Sequence, residues 1–113
     1  MTDCLFCKIA AGEIPSSKVY EDDSVLAFSD IDPKAPVHLL IVSKKHIISV
    51  AQTADEDFDI YAHIMRVARQ LAEENGLAGG FRLVANTGKD GGQSVDHLHF
   101  HLLGGRALSW PPG

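Results

Sequence analysis

The segment HLHFHLL, residues 97–103, alternates strictly between imidazole and apolar side chains. A period of two predicts a β-strand, because successive side chains of a strand point to opposite faces. In a strand the three imidazoles lie about 6.5–7 Å apart on one face, and the apolar side chains between them enter the core. We therefore predict a final strand over residues 95–103. Its imidazole row is His97, His99 and His101, and its core row is Leu98, Phe100 and Leu102.

A glycine-rich loop, NTGKDGGQS at residues 86–94, runs directly into this strand. Glycine lets the backbone approach a ligand closely and turn its N–H groups toward an anion. The loop beside the imidazole row therefore indicates a phosphate site. The residues alone leave two chemistries open for the row: neutral imidazoles can bind a catalytic zinc, or one imidazole can attack a phosphoryl or acyl centre.

Length and charge narrow the possibilities further. The chain has 113 residues and a formal net charge of -5, and we expect one domain over residues 1–113. The negative charge opposes binding to nucleic acid polymers and to anionic membranes. No apolar run approaches the ~20 residues of a membrane helix, and the polar start MTDC lacks the pattern of a signal peptide. We therefore expect a cytoplasmic protein.

Two helical patterns and four further strand patterns complete the chain. A short helix is predicted within residues 3–17, ending at Gly12, and a long helix from an N-cap at Thr53 to Gly76. The apolar face predicted for the long helix consists of Phe58, Tyr61, Ala62, Met65, Ala68 and Ala72. Strands are predicted over residues 18–23, 25–30, 37–47 and 80–86, with an acidic turn at residues 21–24. This order of elements indicates an α+β fold.

The motifs resemble those of the histidine triad (HIT) superfamily, whose signature alternates three histidines with apolar residues as HLHFHLL does. The resemblance extends over nearly the whole chain. GGQSV before the triad and WPPG after it are similar to the Hint branch, the purine nucleoside phosphoramidases. The resemblance implies a HIT-like fold with a five-stranded antiparallel sheet, one long and one short helix, and a homodimer across which the sheet is extended.

The same resemblance implies a reaction and its catalytic residues. A Hint-like enzyme cleaves the P–N bond of purine nucleoside 5'-phosphoramidates, such as AMP joined to lysine, through a covalent nucleotidyl-histidine. On this chain the implied nucleophile is His99, His101 contacts the non-bridging phosphate oxygens, and Ser94 assists the leaving group. His97 and His38 form the shell that positions His99.

Nucleotide-binding residues are implied in the same way. Asp30 accepts hydrogen bonds from the ribose, and the base is walled by Phe6, Phe28 and Ile31. The other implied contacts are Asn86, Gly92, Gln93, Ser94, Val95, His99, His101 and Trp110, the last reaching the partner's site in the dimer. Without the resemblance, Phe6 and Phe28 are ordinary core residues, Asp30 is a turn residue, and Trp110 anchors the tail.

Cys4 and Cys7 form a C-x-x-C pair, which in a reducing compartment indicates metal binding or redox chemistry. A closed tetrahedral zinc site needs two more ligands. The candidates are His46 and His97, the ligand set that some bacterial HIT proteins use. The alternative is that the cysteines are metal-free and only pack in the fold. A redox role would require a βαβ unit, which the predicted elements lack. We expect a structural zinc at these residues and no catalytic metal.

Two other functions remain open. One is the dinucleoside polyphosphate hydrolase activity of the same superfamily, and the other is nucleotide binding or scaffolding with vestigial hydrolysis. The expected partners are a purine nucleotide and a second copy of the chain. Asp96, directly before the triad, departs from the uncharged residue of relatives, and His63 is expected at the surface of the long helix.

Overall fold

The computed structural model of the chain describes residues 3–113, so Met1 and Thr2 of the polar start lie outside the described residues. The elements are α1 (Leu5–Ala10), β1 (Lys18–Glu21), β2 (Val25–Ser29), β3 (Val37–Ser43), α2 (Asp59–Glu74), β4 (Phe81–Val84) and β5 (His99–Gly104). A 3₁₀ turn, Asp55–Asp57, precedes α2. The predicted α+β class with one short and one long helix is confirmed.

The five strands form one antiparallel sheet in the order β1-β2-β3-β5-β4. This confirms the predicted five-stranded sheet. β5, which carries two of the triad histidines, lies between β3 and β4 and is hydrogen-bonded on both sides. The backbone beneath these histidines is therefore held by two neighbouring strands, while β1 and β4 are the edges of the sheet.

The two faces of the sheet are covered by different helices. Leu98, Phe100 and Leu102 are buried in a cluster with side chains of β2, β3 and α2, as predicted. The opposite face packs against α1, where Phe6 and Ile9 contact apolar residues of β2 and β3. Burial of one such large apolar side chain stabilises the fold by about 1.5–3 kcal/mol. The imidazoles of β5 therefore share their face of the sheet with α1.

The turn between β1 and β2 is the predicted acidic turn, and it is organised by Asp22. Its carboxylate accepts hydrogen bonds from the Tyr20 hydroxyl at 2.6 Å and from the N–H groups of Ser24 and Val25 at 2.8 and 2.9 Å. His63 of α2, half-buried at the surface as expected, places Nε2 2.6 Å from the same carboxylate. Although burial opposes the charge, these hydrogen bonds hold the pKa of Asp22 well below its usual range.

The start predicted for the long helix was wrong. α2 begins at Asp59, after a cap at Phe58, because the 3₁₀ turn intervenes. Thr53 does not cap the helix; its hydroxyl instead donates to the Ser49 carbonyl at 2.7 Å and lies 2.6 Å from the Tyr61 hydroxyl. The predicted stop is confirmed, because α2 ends at Glu74 and Gly76 has a positive φ of 72°, a conformation that glycine adopts without strain.

The predicted apolar face of α2 was also partly wrong, because Phe58, Ala62 and Met65 are exposed. The buried residues of the helix are Ile64, Val67, Ala68, Leu71 and Ala72. Two apolar stripes with the same helical period overlap at the two alanines. The stripe that carries the larger aliphatic side chains faces the sheet, because its burial removes more apolar surface from water.

All five strands were predicted too long. β1 and β2 end at Glu21 and Ser29 rather than at residues 23 and 30, and the larger differences lie in the other three strands. β3 ends at Ser43, β4 ends at Val84, and β5 begins only at His99, four residues after the predicted start. His97 therefore lies before the strand rather than in it. The reason is a tight turn, in which the N–H of His97 donates to the Val95 carbonyl at 2.8 Å. Within residues 3–113, no helix is both long and apolar enough to cross a membrane.

Candidate active site

His99, the first residue of β5, has one ring nitrogen fixed by the backbone. Its Nδ1–H donates to the carbonyl of His97 at 2.7 Å, so Nε2 carries the lone pair. The ring is only 3% exposed and packs edge-to-face against Phe6 at 5.0 Å between centroids. Among the described residues no group hydrogen-bonds to Nε2, and this nitrogen is not sealed from solvent. His99 therefore presents a fixed, accessible nucleophilic nitrogen.

His101 and His38 form a hydrogen-bonded pair whose polarity is also fixed by the backbone. The N–H of Lys34 donates to Nδ1 of His38 at 3.0 Å, so the ring proton of a neutral His38 is on Nε2. That Nε2–H lies 2.9 Å from Nδ1 of His101 and donates to it. Neutral His101 consequently carries its own proton on Nε2, which has no partner within residues 3–113.

Burial, followed by the neighbouring His99 and His38, lowers the pKa of His101 to about 4. The ring is therefore neutral at physiological pH. The rings of His99 and His101 lie 5.1 Å apart between centroids. The site thus places a nitrogen lone pair beside an N–H donor. This pairing can attack an electrophilic centre and at the same time stabilise negative charge on its oxygen atoms.

Asp30, His38 and His101 also lie close enough together to suggest a second metal site. The hydrogen bonds argue against it. A metal bound at Nε2 of His38 would need a lone pair there, but Nδ1 already accepts the Lys34 N–H, and neutral imidazole has only one acceptor nitrogen. His38 and His101 are therefore better described as a hydrogen-bonded pair beside the Asp30 carboxylate than as part of a metal centre.

The glycine-rich loop is held in place by the side chain of Gln93. Its Oε1 accepts the N–H of Gly88 at 2.9 Å, and its Nε2 donates to the carbonyls of Ile48 and Val95 at 2.7 and 3.0 Å. The Gln93 amide therefore organises the loop, and both of its N–H donors are engaged. In the described part of the chain, the backbone N–H groups of Ser94 and Val95 have no hydrogen-bond partner. They are available to an anion.

The predicted nucleoside residues are only partly brought together. Phe6 and Phe28 are buried in edge contact at 5.7 Å, and Phe6 also packs against the ring of His99. Ile31 is fully exposed, which is unusual for an aliphatic side chain and leaves it free to cover a ligand. Asp30 accepts the N–H of Asp32 at 2.8 Å and keeps a half-buried carboxylate beside His38. Trp110 is exposed, and Asn86 is half-buried.

The two cysteines and the two predicted histidines lie together in one cluster, although His97 precedes β5 and is not part of it. Nδ1 of His97 lies 3.1 Å from Sγ of Cys4 and 3.4 Å from Sγ of Cys7, and Nδ1 of His46 lies 3.3 Å from both Cys7 Sγ and His97 Nδ1. Around a tetrahedral zinc, two nitrogens are about 3.3 Å apart and a sulfur and a nitrogen about 3.5 Å. The ligand atoms fit zinc.

A backbone carbonyl prepares His97 for this coordination. Its Nε2–H donates to the carbonyl of Ser43 at 2.6 Å, which leaves the lone pair on Nδ1, inside the cluster. Burial and the neighbouring Cys4 raise the pKa of the Cys7 thiol to about 11, so a bound cation would be needed to deprotonate it.

Three groups of the site could not be found in the sequence: the N–H of Lys34, the carbonyl of Ser43 and the carbonyl of His97. They set the proton positions of the imidazoles, but every residue has the same backbone groups, so no side-chain pattern marks them. A pocket of about 470 Å³ was not predicted either; it is lined by Asp3, Cys4, Leu5, His46, Ile48, Ser94, Val95 and Asp96.

An imidazole pair on an inner strand of a five-stranded antiparallel sheet, with a third histidine of the same motif beside it, defines a histidine triad protein. The sequence profile of the HIT domain matches residues 11–108, and the chain belongs to the HIT family.

Solved structures and sequences of relatives agree with this. A HIT family hydrolase from Legionella pneumophila Philadelphia 1 is 54% identical, with a TM-score of 0.95 over 98% of this chain and 100% of that one. An uncharacterized HIT-like protein of Synechococcus elongatus is 48% identical over 98% of this chain and 97% of its own. A histidine triad nucleotide-binding protein from Candida albicans is 34% identical, with a TM-score of 0.82 over 96% and 83%.

Proposed function

We propose that the protein hydrolyses the P–N bond of purine nucleoside 5'-phosphoramidates through a nucleotidyl intermediate on His99. The observation that carries the proposal is the proton arrangement of the triad. His99 offers an Nε2 lone pair because its Nδ1–H is engaged by the His97 carbonyl, and His101 offers an N–H donor beside it. The names of two relatives, a hydrolase and a nucleotide-binding protein, agree with this reaction class.

In the first step the Nε2 lone pair of His99 attacks the α-phosphorus, and the P–N bond breaks with its electron pair on the amine nitrogen. A proton taken up from solvent and passed on by the Ser94 hydroxyl converts that nitrogen to the free amine. The nucleotidylated ring is cationic and keeps its Nδ1–H on the His97 carbonyl. His101 donates to a non-bridging oxygen, whose negative charge it stabilises.

In the second step water attacks the same phosphorus. The bond between phosphorus and Nε2 breaks, its electron pair returns to the ring, and the water proton is released. The products are a nucleoside monophosphate and neutral His99. The backbone N–H groups of Ser94 and Val95 bind the phosphate. Gly92 and Gln93 precede them in the same loop, and Asn86 is the remaining phosphate-binding residue.

The nucleoside is bound in this proposal by Asp30 at the ribose and by Ile31, Phe6 and Phe28 at the base. The chain forms a homodimer through the edge strand β4, where Phe81 is exposed, and Trp110 reaches the partner's site. Cys4, Cys7, His46 and His97 hold a zinc that supplies structural support, and no step of the reaction uses a metal. We place the protein, as one domain over residues 1–113, in the cytoplasm.

The test is a turnover assay with adenosine and guanosine phosphoramidates and with dinucleoside polyphosphates, together with trapping of a labelled adenylyl group. Wild type should form the adduct and release the amine. His99→Ala should lose both while still binding AMP, and His63→Ala, a histidine outside the site, should keep both. Unchanged turnover in His99→Ala would overturn the mechanism.

Other outcomes identify the alternatives. Preferential cleavage of dinucleoside polyphosphates would place the protein in the other hydrolase branch. AMP binding with neither adduct nor turnover would make it a nucleotide-binding protein. Loss of turnover on chelation, restored by metal without refolding, would assign the chemistry to a catalytic metal.

A further inference from the structure

His97 belongs to two sites at once. Its ring is part of the metal cluster, and its carbonyl accepts the proton that fixes the tautomer of His99. We propose that the cluster of Cys4, Cys7, His46 and His97, when metallated, is a positioning element for the nucleophile. It acts through the backbone of His97 and determines which ring nitrogen of His99 carries the proton. The effect on turnover rests on the proposed function, whereas the effect on the tautomer does not.

The position of the His97 carbonyl depends on how the ring is held. The side chain has no exposed surface, and its two nitrogens are engaged in opposite directions. Nε2–H donates to the Ser43 carbonyl at 2.6 Å, and Nδ1 faces the other three ligand atoms at 3.1–3.4 Å. The carbonyl that His99 uses belongs to the same residue, so only Cβ and Cα lie between it and this anchored ring.

The backbone around His97 is short of other support. This residue precedes β5 and pairs with no strand residue. Its N–H bonds locally to the Val95 carbonyl, and the N–H of Leu98 donates to the Ile47 carbonyl at 2.6 Å. The Leu98–Ile47 bond is thus the one backbone hydrogen bond that ties residues 95–98 to another described segment, and the buried side chains of Leu98 and His97 supply the remaining anchors.

The cluster joins α1 and its N-cap Cys4 to two segments, one after β3 with His46 and one before β5 with His97. The β3–β5 ladder already holds those two segments beside each other, whereas no strand pairing ties α1 to them. Without a cation these contacts depend on thiol hydrogen bonds, which are weak. Coordination bonds would hold the three segments far more firmly. Metal loss should therefore loosen residues 95–98 before it loosens the sheet.

The tautomer of His99 responds directly to such loosening. In a neutral imidazole the protonated nitrogen is determined by the hydrogen bond that the other nitrogen or its own N–H makes. Nδ1–H is favoured here by the bond to the His97 carbonyl at 2.7 Å. When that carbonyl moves, the proton transfers to Nε2 in part of the molecules, and the nucleophilic lone pair is lost in that fraction.

Nuclear magnetic resonance can measure this tautomer without any substrate. Two-bond proton–nitrogen spectra of 15N-histidine-labelled protein identify the protonated nitrogen of each ring. We expect Nδ1–H at His99 in zinc-loaded wild type, and at least a several-fold larger Nε2–H fraction after chelation. His46→Gln, which removes a ligand remote from the nucleophile, should reproduce the change at low zinc, and saturating zinc should partly reverse it. His63→Gln is the matched control and should show no change.

Activity supplies the second measurement. kcat should fall by about 10–100-fold in His46→Gln at low zinc, with little change in KM, because losing an outer contact that orients a functional imidazole has an effect of this size. An unchanged His99 tautomer in chelated protein that keeps a dispersed spectrum would overturn the inference. If chelation unfolds the chain, His46→Gln is titrated with zinc over the range in which it stays folded, and an Nδ1–H population that does not change over that range would equally overturn it. A metal-dependent tautomer without phosphoramidase turnover would contradict only the proposed function.

Discussion

Nε2 of His38 on β3 lies 2.9 Å from Nδ1 of His101 on β5, and the direction of this hydrogen bond is set by a backbone amide four residues before His38. Because the Lys34 N–H occupies the other nitrogen of His38, the proton between the two rings belongs to His38. The free N–H donor of His101 is thus determined by a backbone amide two hydrogen bonds away.

The first prediction concerns this relay. His38→Phe removes the donor and lets His101 carry its proton on Nδ1, which takes the N–H away from the phosphate. kcat on an adenosine phosphoramidate should fall by about 10–100-fold. His38→Asn, whose side-chain amide can still donate, should recover part of that loss with the same KM. Equal kcat values in the two variants would show that His38 only fills space.

The second prediction concerns stability at acidic pH. His101 has a pKa of about 4 in the folded protein and about 6.5 when unfolded. Between these values the unfolded chain binds a proton that the folded chain does not, so stability falls as pH falls from 6.5 toward 4. From pH 7 to 4.5 the wild type should lose about 2–3 kcal/mol more of its free energy of unfolding than His101→Asn does. Urea denaturation at both pH values measures the difference, and parallel losses in the two proteins would contradict it.

The sequence predicted the sheet face of β5 correctly because residues 98–102 alternate without a fault, and both neighbouring strands accept that register. The strand prediction was wrong at His97, where the alternation continues in the sequence but the backbone turns. The ring of His97 contacts Sγ of Cys4 and donates to the Ser43 carbonyl. An extended strand would not place the ring between these two groups. Tertiary bonding overrides a local pattern at this position.

The cluster of Cys4, Cys7, His46 and His97 could be predicted because cysteine and histidine are distinctive residue types. The proton relay could not, since it depends on backbone groups of Lys34, Ser43 and His97 that leave no trace in composition or spacing. The prediction of the buried face of α2 was partly wrong for a third reason. The helix carries two overlapping apolar stripes, which have the same period and differ only in their side chains.

The third prediction concerns the glycine loop. A Cβ on Gly91 would lie 2.3 Å from the backbone oxygen of Thr87, whereas one on Gly79 would meet no atom within 4 Å. Gly91→Ala must therefore shift the loop backbone. We expect a loss of about 1–3 kcal/mol in stability and a kcat/KM at least about tenfold lower, because displaced N–H groups bind the phosphate poorly. Gly79→Ala is the control and should match wild type in thermal melting and turnover.

The fourth prediction concerns the turn between β1 and β2. Asp22 accepts four hydrogen bonds there, including one that connects the hairpin to α2 through His63. Asp22→Ala leaves these partners unpaired and should lower the free energy of unfolding by about 2–4 kcal/mol. Asp23→Ala, its exposed neighbour, should change it by less than about 0.5 kcal/mol. Urea denaturation compares the two, and similar values would show that the carboxylate contributes little.

The last prediction concerns the leaving group. The pocket of about 470 Å³ adjoins Ser94 and combines the aliphatic side chains of Leu5 and Ile48 with the carboxylates of Asp3 and Asp96. An alkyl amine whose far end carries a positive charge matches this lining. At a partly exposed carboxylate such a charge is favoured by about 1 kcal/mol, which corresponds to roughly fivefold in kcat/KM.

AMP phosphoramidates of butylamine and of 1,4-diaminobutane differ only in that distal charge. Wild type should prefer the diamine derivative by roughly fivefold, and Asp96→Asn should lose most of this preference while it keeps its turnover of the butylamine derivative. Glu73→Gln removes the same charge from an exposed position on α2 and should retain the preference. If both variants lose it equally, the selectivity comes from net charge and not from Asp96. Competition assays with mixed substrates measure the ratio directly, because both compounds meet the same enzyme molecules.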